Sequence, residues 1–156
     1  MFEKSRLERA EDAIAITPND VSAWLAKGRT LLFSGKPADG RVAIETALRL
    51  SPRDPFSWVA LMYLTISHYF ERDYVIAAEV AQRTIHSHPT FPLPYRWLAA
   101  AIGQLGRTDE ARVALRQAIE VSPRSFEFYV RSRPPWVRPE DYQHMLDGLQ
   151  KAGWEG

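Results

Sequence analysis

The chain has 156 residues, 46% of them hydrophobic and 25% charged, with no cysteine and a formal net charge of +1. That is enough apolar material for one domain with a continuous core. It excludes disulfides, thiol catalysis and any whole-molecule field that would by itself draw in nucleic acid or an anionic membrane. Residues 1–20 lack the apolar core of a signal peptide and no run is long enough to cross a bilayer, so the expected setting is cytoplasmic.

In chain order, residues 4–18 read as one helix and its closing proline: Leu7, Ala10, Ala13 and Ile14 fall on one face and Pro18 ends the run. No hairpin mate precedes it, which points to a chain cut from a longer one or to a helix covered by another chain. Residues 20–52 read as a complete helical hairpin. Asn19 or Asp20 caps its first helix, VSAWLAKGRTLLFSG, and Pro37 opens the second, where a missing N–H does no harm. Residues 54–89 repeat the plan, with Asp54 as cap, Pro55 at the first helical position and a first helix rich in aromatic side chains. Three extra residues in this unit predict a longer hairpin turn near HYFERD.

Residues 91–123 contain the clearest hairpin, YRWLAAAIGQLGRTDEARVALRQAIEVSP. Leu98, Ala101, Ile102 and Leu105 recur at helical spacing in its first half, and Ala111, Leu115, Ala118 and Ile119 in its second. Gly106 ends the first helix, Thr108 caps the second, and Asp109 and Glu110 place negative charge where the helix dipole favours it. The small residues Ala99, Ala111 and Ala118 let the two helices approach closely. Residues 125–156 break the pattern with a short aromatic segment, a corner at Pro134 and Pro135, and a helix opened by Pro139 and closed by Gly153. Tyr142, Met145, Leu146 and Leu149 share its buried side, and the segment is expected to cap the last hairpin, with Trp136 and Trp154 packed on it.

Pro18, Pro52, Pro89 and Pro123 lie 34, 37 and 34 residues apart, each after a helical run: DAIAITP, TALRLSP, RTIHSHP and QAIEVSP. Trp24 and Trp58 open two of the first helices and Tyr95 takes the same place in the third. This period, with an early aromatic, a small residue in mid-repeat and a closing proline, resembles the tetratricopeptide repeat family. The expected fold class is therefore all-α. It is an α-solenoid of antiparallel helix hairpins with about three full repeats, an N-terminal half-repeat and a C-terminal capping helix, forming one domain over residues 1–156.

Signals of chemistry are thin. GQLGR, at Gly103 to Arg107, lacks the preceding strand and the spacing of a phosphate loop and reads as a helix end. His86 and His88 sit on different sides of a helix with no acid at ligand spacing, and His68 and His144 are isolated. No serine has a signalled His and acid partner. The expectation is a chain with no catalytic residues, no metal site and no cofactor. Binding remains. The family resemblance implies that the first helices line a concave groove, which here comprises Ser22, Leu25, Arg29, Leu32 and Phe33, then Phe56, Val59, Tyr63 and Ile66, then Leu93, Arg96, Ala100 and Gln104.

Leu25 and Arg29 stand where chaperone-binding relatives carry the Lys and Asn of a carboxylate clamp, so that clamp is absent. An apolar groove flanked by Arg suits an amphipathic helix or hydrophobic segment with an acidic fringe. The competing reading is that many of these residues pack on neighbouring helices or on the terminal helix folded into the groove. Arg124, Arg131, Arg133 and Arg138, opposed by Glu127, form a candidate anion patch, with pairing to nearby carboxylates as the alternative. The aromatics are not interleaved as base-stacking platforms, which argues against nucleic acid. A Pro-rich ligand for a proline-reading domain at RPPW ranks below a structural corner.

The run RPPWVRPEDYQHMLDGLQKAGW, after repeats of the GRTDEAR type, resembles the tail of bacterial proteins that join class III adenylate or guanylate cyclase domains to tetratricopeptide repeats. That resemblance implies a regulatory or assembly module of a nucleotide cyclase. The cyclase fold and its metal-binding aspartates are missing, so no catalytic residue carries over. Similar tails on winged-helix transcription regulators leave a second parent open. The partners expected are a protein or peptide segment, or a second copy of the chain, with no membrane.

Overall fold

The computed structural model describes residues 4–156, and among these only helices and turns occur. The helices are α1 (Arg6–Ile16), α2 (Val21–Phe33), α3 (Pro37–Leu50), α4 (Ser57–Phe70), α5 (Tyr74–Ser87), α6 (Leu93–Gln104), α7 (Thr108–Val121), α8 (Pro123–Arg131) and α9 (Pro139–Lys151). α2 pairs with α3, α4 with α5 and α6 with α7 as antiparallel hairpins stacked into an α-solenoid, with α1 packed on α2. Each hairpin turns through three residues, and the middle one is left-handed: Gly35 at φ 82°, Arg72 at φ 65° and Gly106 at φ 72°.

The ends of the helices follow their capping chemistry. Ser5 and Glu8 close a capping box on α1, and the Asp20 carboxylate accepts from the Ala23 N–H at the start of α2. Pro37 opens α3 as expected. Two caps differ from the sequence reading. Asp54 accepts from the Phe56 N–H and builds a turn ahead of α4, which begins at Ser57. Thr108 is the first residue of α7 and Arg107 precedes it as cap residue.

The extra length in the second unit is not in a hairpin turn. The 71–73 turn is as short as those at 34–36 and 105–107. The connection 51–56 and the one additional residue of α4 over α2 absorb it, because Asp54 and Pro55 form a turn before the helix can start. Trp58 is thereby shifted out of register with Trp24. The Trp24 indole N–H donates to the Pro18 carbonyl and the Tyr95 hydroxyl to the Pro89 carbonyl, each clasping the proline that closes the preceding unit. Trp58 packs instead on the ring of Phe91, at 4.5 Å. Counting from the hairpin turns, Thr65 matches Gly28 and Ala99, and both Thr65 and Ala99 are completely buried.

Close approach decides which helices touch. A β-carbon on Gly28 would lie 2.9 Å from the Gly40 carbonyl, and one on Gly40 2.7 Å from the Gly28 carbonyl, so α2 and α3 cross backbone to backbone. The segment after α7 is itself helical. Ser122 caps α8 by accepting from the Ser125 N–H, and Phe126 and Val130 are buried beneath it.

α9 packs chiefly on α6 of the last hairpin and runs on past it, along the line offered in the sequence as the competing reading of a terminal helix folded into the groove. It starts beside the 34–36 turn, where the Arg138 guanidinium lies against Gly35. Midway it meets the end of the α4–α5 hairpin, where the Tyr69 hydroxyl donates to the His144 carbonyl at 2.7 Å and the Tyr74 hydroxyl meets His144 Nε2 at 2.7 Å. It ends beside the third turn, where Lys151 donates to the Gln104 side chain at 2.8 Å. Trp136, expected on the last hairpin, instead covers Arg29 of α2, with the guanidinium 5.6 Å from its ring centre. Trp154 does pack on the end of the array, against Phe126.

Candidate binding groove

The inner sides of α2, α4 and α6 are the surface to which the sequence assigns binding, and α9 covers part of it. Residues of that face separate into four environments. Ser22, Leu25, Phe56 and Val59 line an open hollow at the N-terminal ends of α2 and α4, together with Val21, Leu48 and Ala60. Phe56 is 69% exposed there, an unusual position for a phenylalanine.

Arg29, Phe33, Tyr63, Ile66, Leu93 and Arg96 come together in a second hollow of about 190 Å³. It is walled further by Trp97, Tyr129, Trp136, Asp141 and Tyr142, which the groove assignment did not include. Gln104 belongs to neither. Its amide donates to the Tyr69 hydroxyl at 3.2 Å and its carbonyl accepts from Lys151, so it holds α9 in place. Leu32 and Ala100, also assigned to the groove face, are fully buried in the core.

Arg96 is the exceptional residue of the second hollow. It is 6% exposed, and its Nε finds no hydrogen-bond acceptor. The guanidinium sits 4.3 Å from the centre of the Tyr129 ring and 5.6 Å from that of Trp97. Burial lowers its pKa to about 10, with Tyr129 and Tyr142 acting in the other direction, so it remains a cation at neutral pH. Asp141 is the one carboxylate among the lining residues. It is held by Arg138 through two hydrogen bonds of 2.8 and 3.0 Å. Burial raises the Tyr63 phenol, and the nearby Arg29 charge opposes that shift. Phe33 packs edge-on to Tyr63 and Phe70.

A family profile described as tetratricopeptide repeat matches residues 97–125, which span the α6–α7 hairpin and the start of α8. Among solved structures the chain resembles MamA, at TM-score 0.68 and 21% identity over 93% of this chain and 85% of that one. It also resembles YrrB, described as a TPR protein with an unusual peptide-binding site, at TM-score 0.64 and 16% identity over 94% of this chain and 74% of that one. The fold is that of tetratricopeptide-repeat proteins. No curated protein sequence matches the chain.

In the repeat frame, the arginines of the candidate anion patch sit around α8 and the corner that follows it. Arg131 pairs with Glu127 at 2.8 Å, Arg133 donates to the Val137 carbonyl, and Arg138 is taken by Asp141 and by Glu140 at 3.1 Å. Arg124 is exposed. Three of the four thus bond to nearby groups, the alternative weighed in the sequence; Arg133 and Arg138 hold the corner, and Arg131 forms an exposed pair within α8. Among the described residues no group of three or more His, Cys, Asp or Glu side chains is placed to hold a metal ion. No helix of the described chain is long and apolar enough to cross a membrane. The walls contributed by Tyr129, Trp136 and Tyr142 were not deduced because they come from beyond the repeats. The Pro134 and Pro135 corner was the available signal that the chain doubles back.

Proposed function

We propose that this chain is a non-catalytic protein-binding module that receives a segment of another protein in the open hollow at the N-terminal ends of α2 and α4. The observation that carries the reading is the exposed Phe56, beside Leu25 and Val59 on a face that α9 leaves open. Apolar side chains held on rigid helices present buried-anchor sites to a partner at low entropic cost. The preferred occupant is an amphipathic or extended segment that lays an apolar side into this hollow, whose one charged lining residue is Asp54.

The experiment is selection of binding peptides from a random displayed library, followed by titration of the best peptide against wild type and a Leu25→Ala, Phe56→Ala double variant. The variant is expected to bind at least about tenfold more weakly while keeping its helical circular dichroism. Unchanged affinity in a folded variant rejects the groove assignment. The resemblance of residues 133–154 to cyclase-linked repeat tails supports the finer reading of a regulatory or assembly module of a nucleotide cyclase. A cyclase domain in the same reading frame would support that parentage, and a winged-helix domain would replace it.

A further inference from the structure

We propose that the second hollow, beneath the Pro-rich corner, is a separate site for an aromatic ring that carries a carboxylate, with the carboxylate on Arg96 and the ring held by Tyr63, Trp97 and Trp136. It goes beyond the segment-binding reading, because it uses different residues and accepts a different kind of ligand. Three observations converge on it.

The first is the buried cation. A guanidinium that is 6% exposed, with Nε lacking an acceptor and no carboxylate paired to it among the described residues, forfeits hydrogen bonds that water would supply. A ligand carboxylate restores them in the forked geometry that guanidinium favours. Asp141 forms no ion pair with Arg96; its carboxylate is turned to Arg138. Arg29 adds a second positive charge to the lining.

The second is size. The hollow measures about 190 Å³. A cavity of about 150 Å³ admits benzene and a water occupies about 30 Å³, so the space suits one ring and a small charged group rather than a length of polypeptide. The third is the wall chemistry. Phe33, Met62, Trp97 and Met145 supply apolar contact, Tyr63 an edge, and Trp136 a partly exposed roof braced by Arg29. The pattern of an apolar body with few convergent polar groups is that of small-ligand pockets.

Free aromatic acids offer this chemistry, and so does the last residue of a peptide ending in Phe or Tyr. Titration of the full chain, followed by tryptophan fluorescence and calorimetry, compares phenylacetate and benzoate with 2-phenylethanol, which keeps the ring and loses the charge, and with acetate, which does the reverse. A short peptide ending in Phe is titrated alongside. Saturable binding of the aromatic acids or the Phe-ended peptide, with 2-phenylethanol and acetate weaker by roughly tenfold or more, supports the site. The tighter of the two then identifies the source as a small molecule or a chain end.

Arg96→Met keeps the packing volume and is expected to weaken binding by a similar factor. Trp136→Ala, at a half-exposed position and checked for native helical circular dichroism, is expected to weaken it several-fold, and Phe56→Ala to leave it unchanged. The proposal is overturned if no aromatic carboxylate saturates, if 2-phenylethanol binds as tightly as phenylacetate, or if folded Arg96→Met or Trp136→Ala binds as wild type does.

Discussion

Arg72 occupies the left-handed middle position of its hairpin turn, where Gly35 and Gly106 stand in the other two. A side chain with a β-carbon costs about 1–2 kcal/mol in that conformation, and glycine's greater freedom in the unfolded chain returns part of it. Arg72→Gly is therefore expected to stabilise the protein by about 1 kcal/mol, seen as a rise of about 3 °C in thermal midpoint. No rise would mean that the contact of Arg72 with the Tyr74 hydroxyl, at 3.4 Å, offsets the strain. At this scale the sequence was legible wherever a residue type answers to backbone geometry alone. Gly106, Asp20 and Pro37 do what their chemistry dictates. Arg96 was not legible as a buried residue, because its burial comes from Tyr129 and Tyr142, which lie more than thirty positions further along the chain.

At the scale of elements, α9 is the piece whose attachment is sensitive to acid. His144 lies between Tyr69 and Tyr74, and its pKa is lowered first by burial and then by Arg72, with Lys151 in the same direction and Asp141 and Asp147 opposing. His68 is lowered likewise by burial and then by Arg41. Both rings are therefore neutral in the native state at neutral pH. Below the ordinary histidine value of 6.5 the unfolded chain binds more protons than the native one, so stability falls as pH drops through that value towards the lower native pKa. The urea midpoint should decline from pH 7.5 to pH 5, and His144→Gln should make the decline shallower. A variant slope equal to wild type would place the pH dependence in His68 or elsewhere.

The helices of the hairpins were readable from apolar period and turn residues, since both are local. The position of α9 was readable only as one of two alternatives. Its amphipathic pattern announces a buried side, but the Gly148 and Gly103 backbones that let it settle against α6 have meaning only once the two helices are brought together. Trp58 misled for the same reason: its spacing from Trp24 matches the period, and the turn at Asp54 shifts it by an amount that only the folded connection reveals.

For the whole molecule, the contacts of the terminal segment with both ends of the array matter most. A simple repeat protein is stabilised by its units and their nearest-neighbour interfaces, so its end units open first. Here Arg138 on Gly35 and Trp136 on Arg29 join positions about a hundred residues apart in the chain. Native-state hydrogen exchange should accordingly find α2 and α9 opening with the same free energy, and Trp136→Ala should separate them by exposing α2 to exchange first. If α2 exchanges before α9 in the wild type, the two ends are not coupled.

A stack of helical hairpins behaves mechanically as a coil spring, able to widen or narrow its bend to suit what it grips. The segment from Trp136 to Lys151, fastened at the turn of each hairpin, acts as a tie rod across the mouth of that spring. Widening the coil would have to break those fastenings first, so the tie opposes a change of pitch that a bare stack of hairpins leaves free.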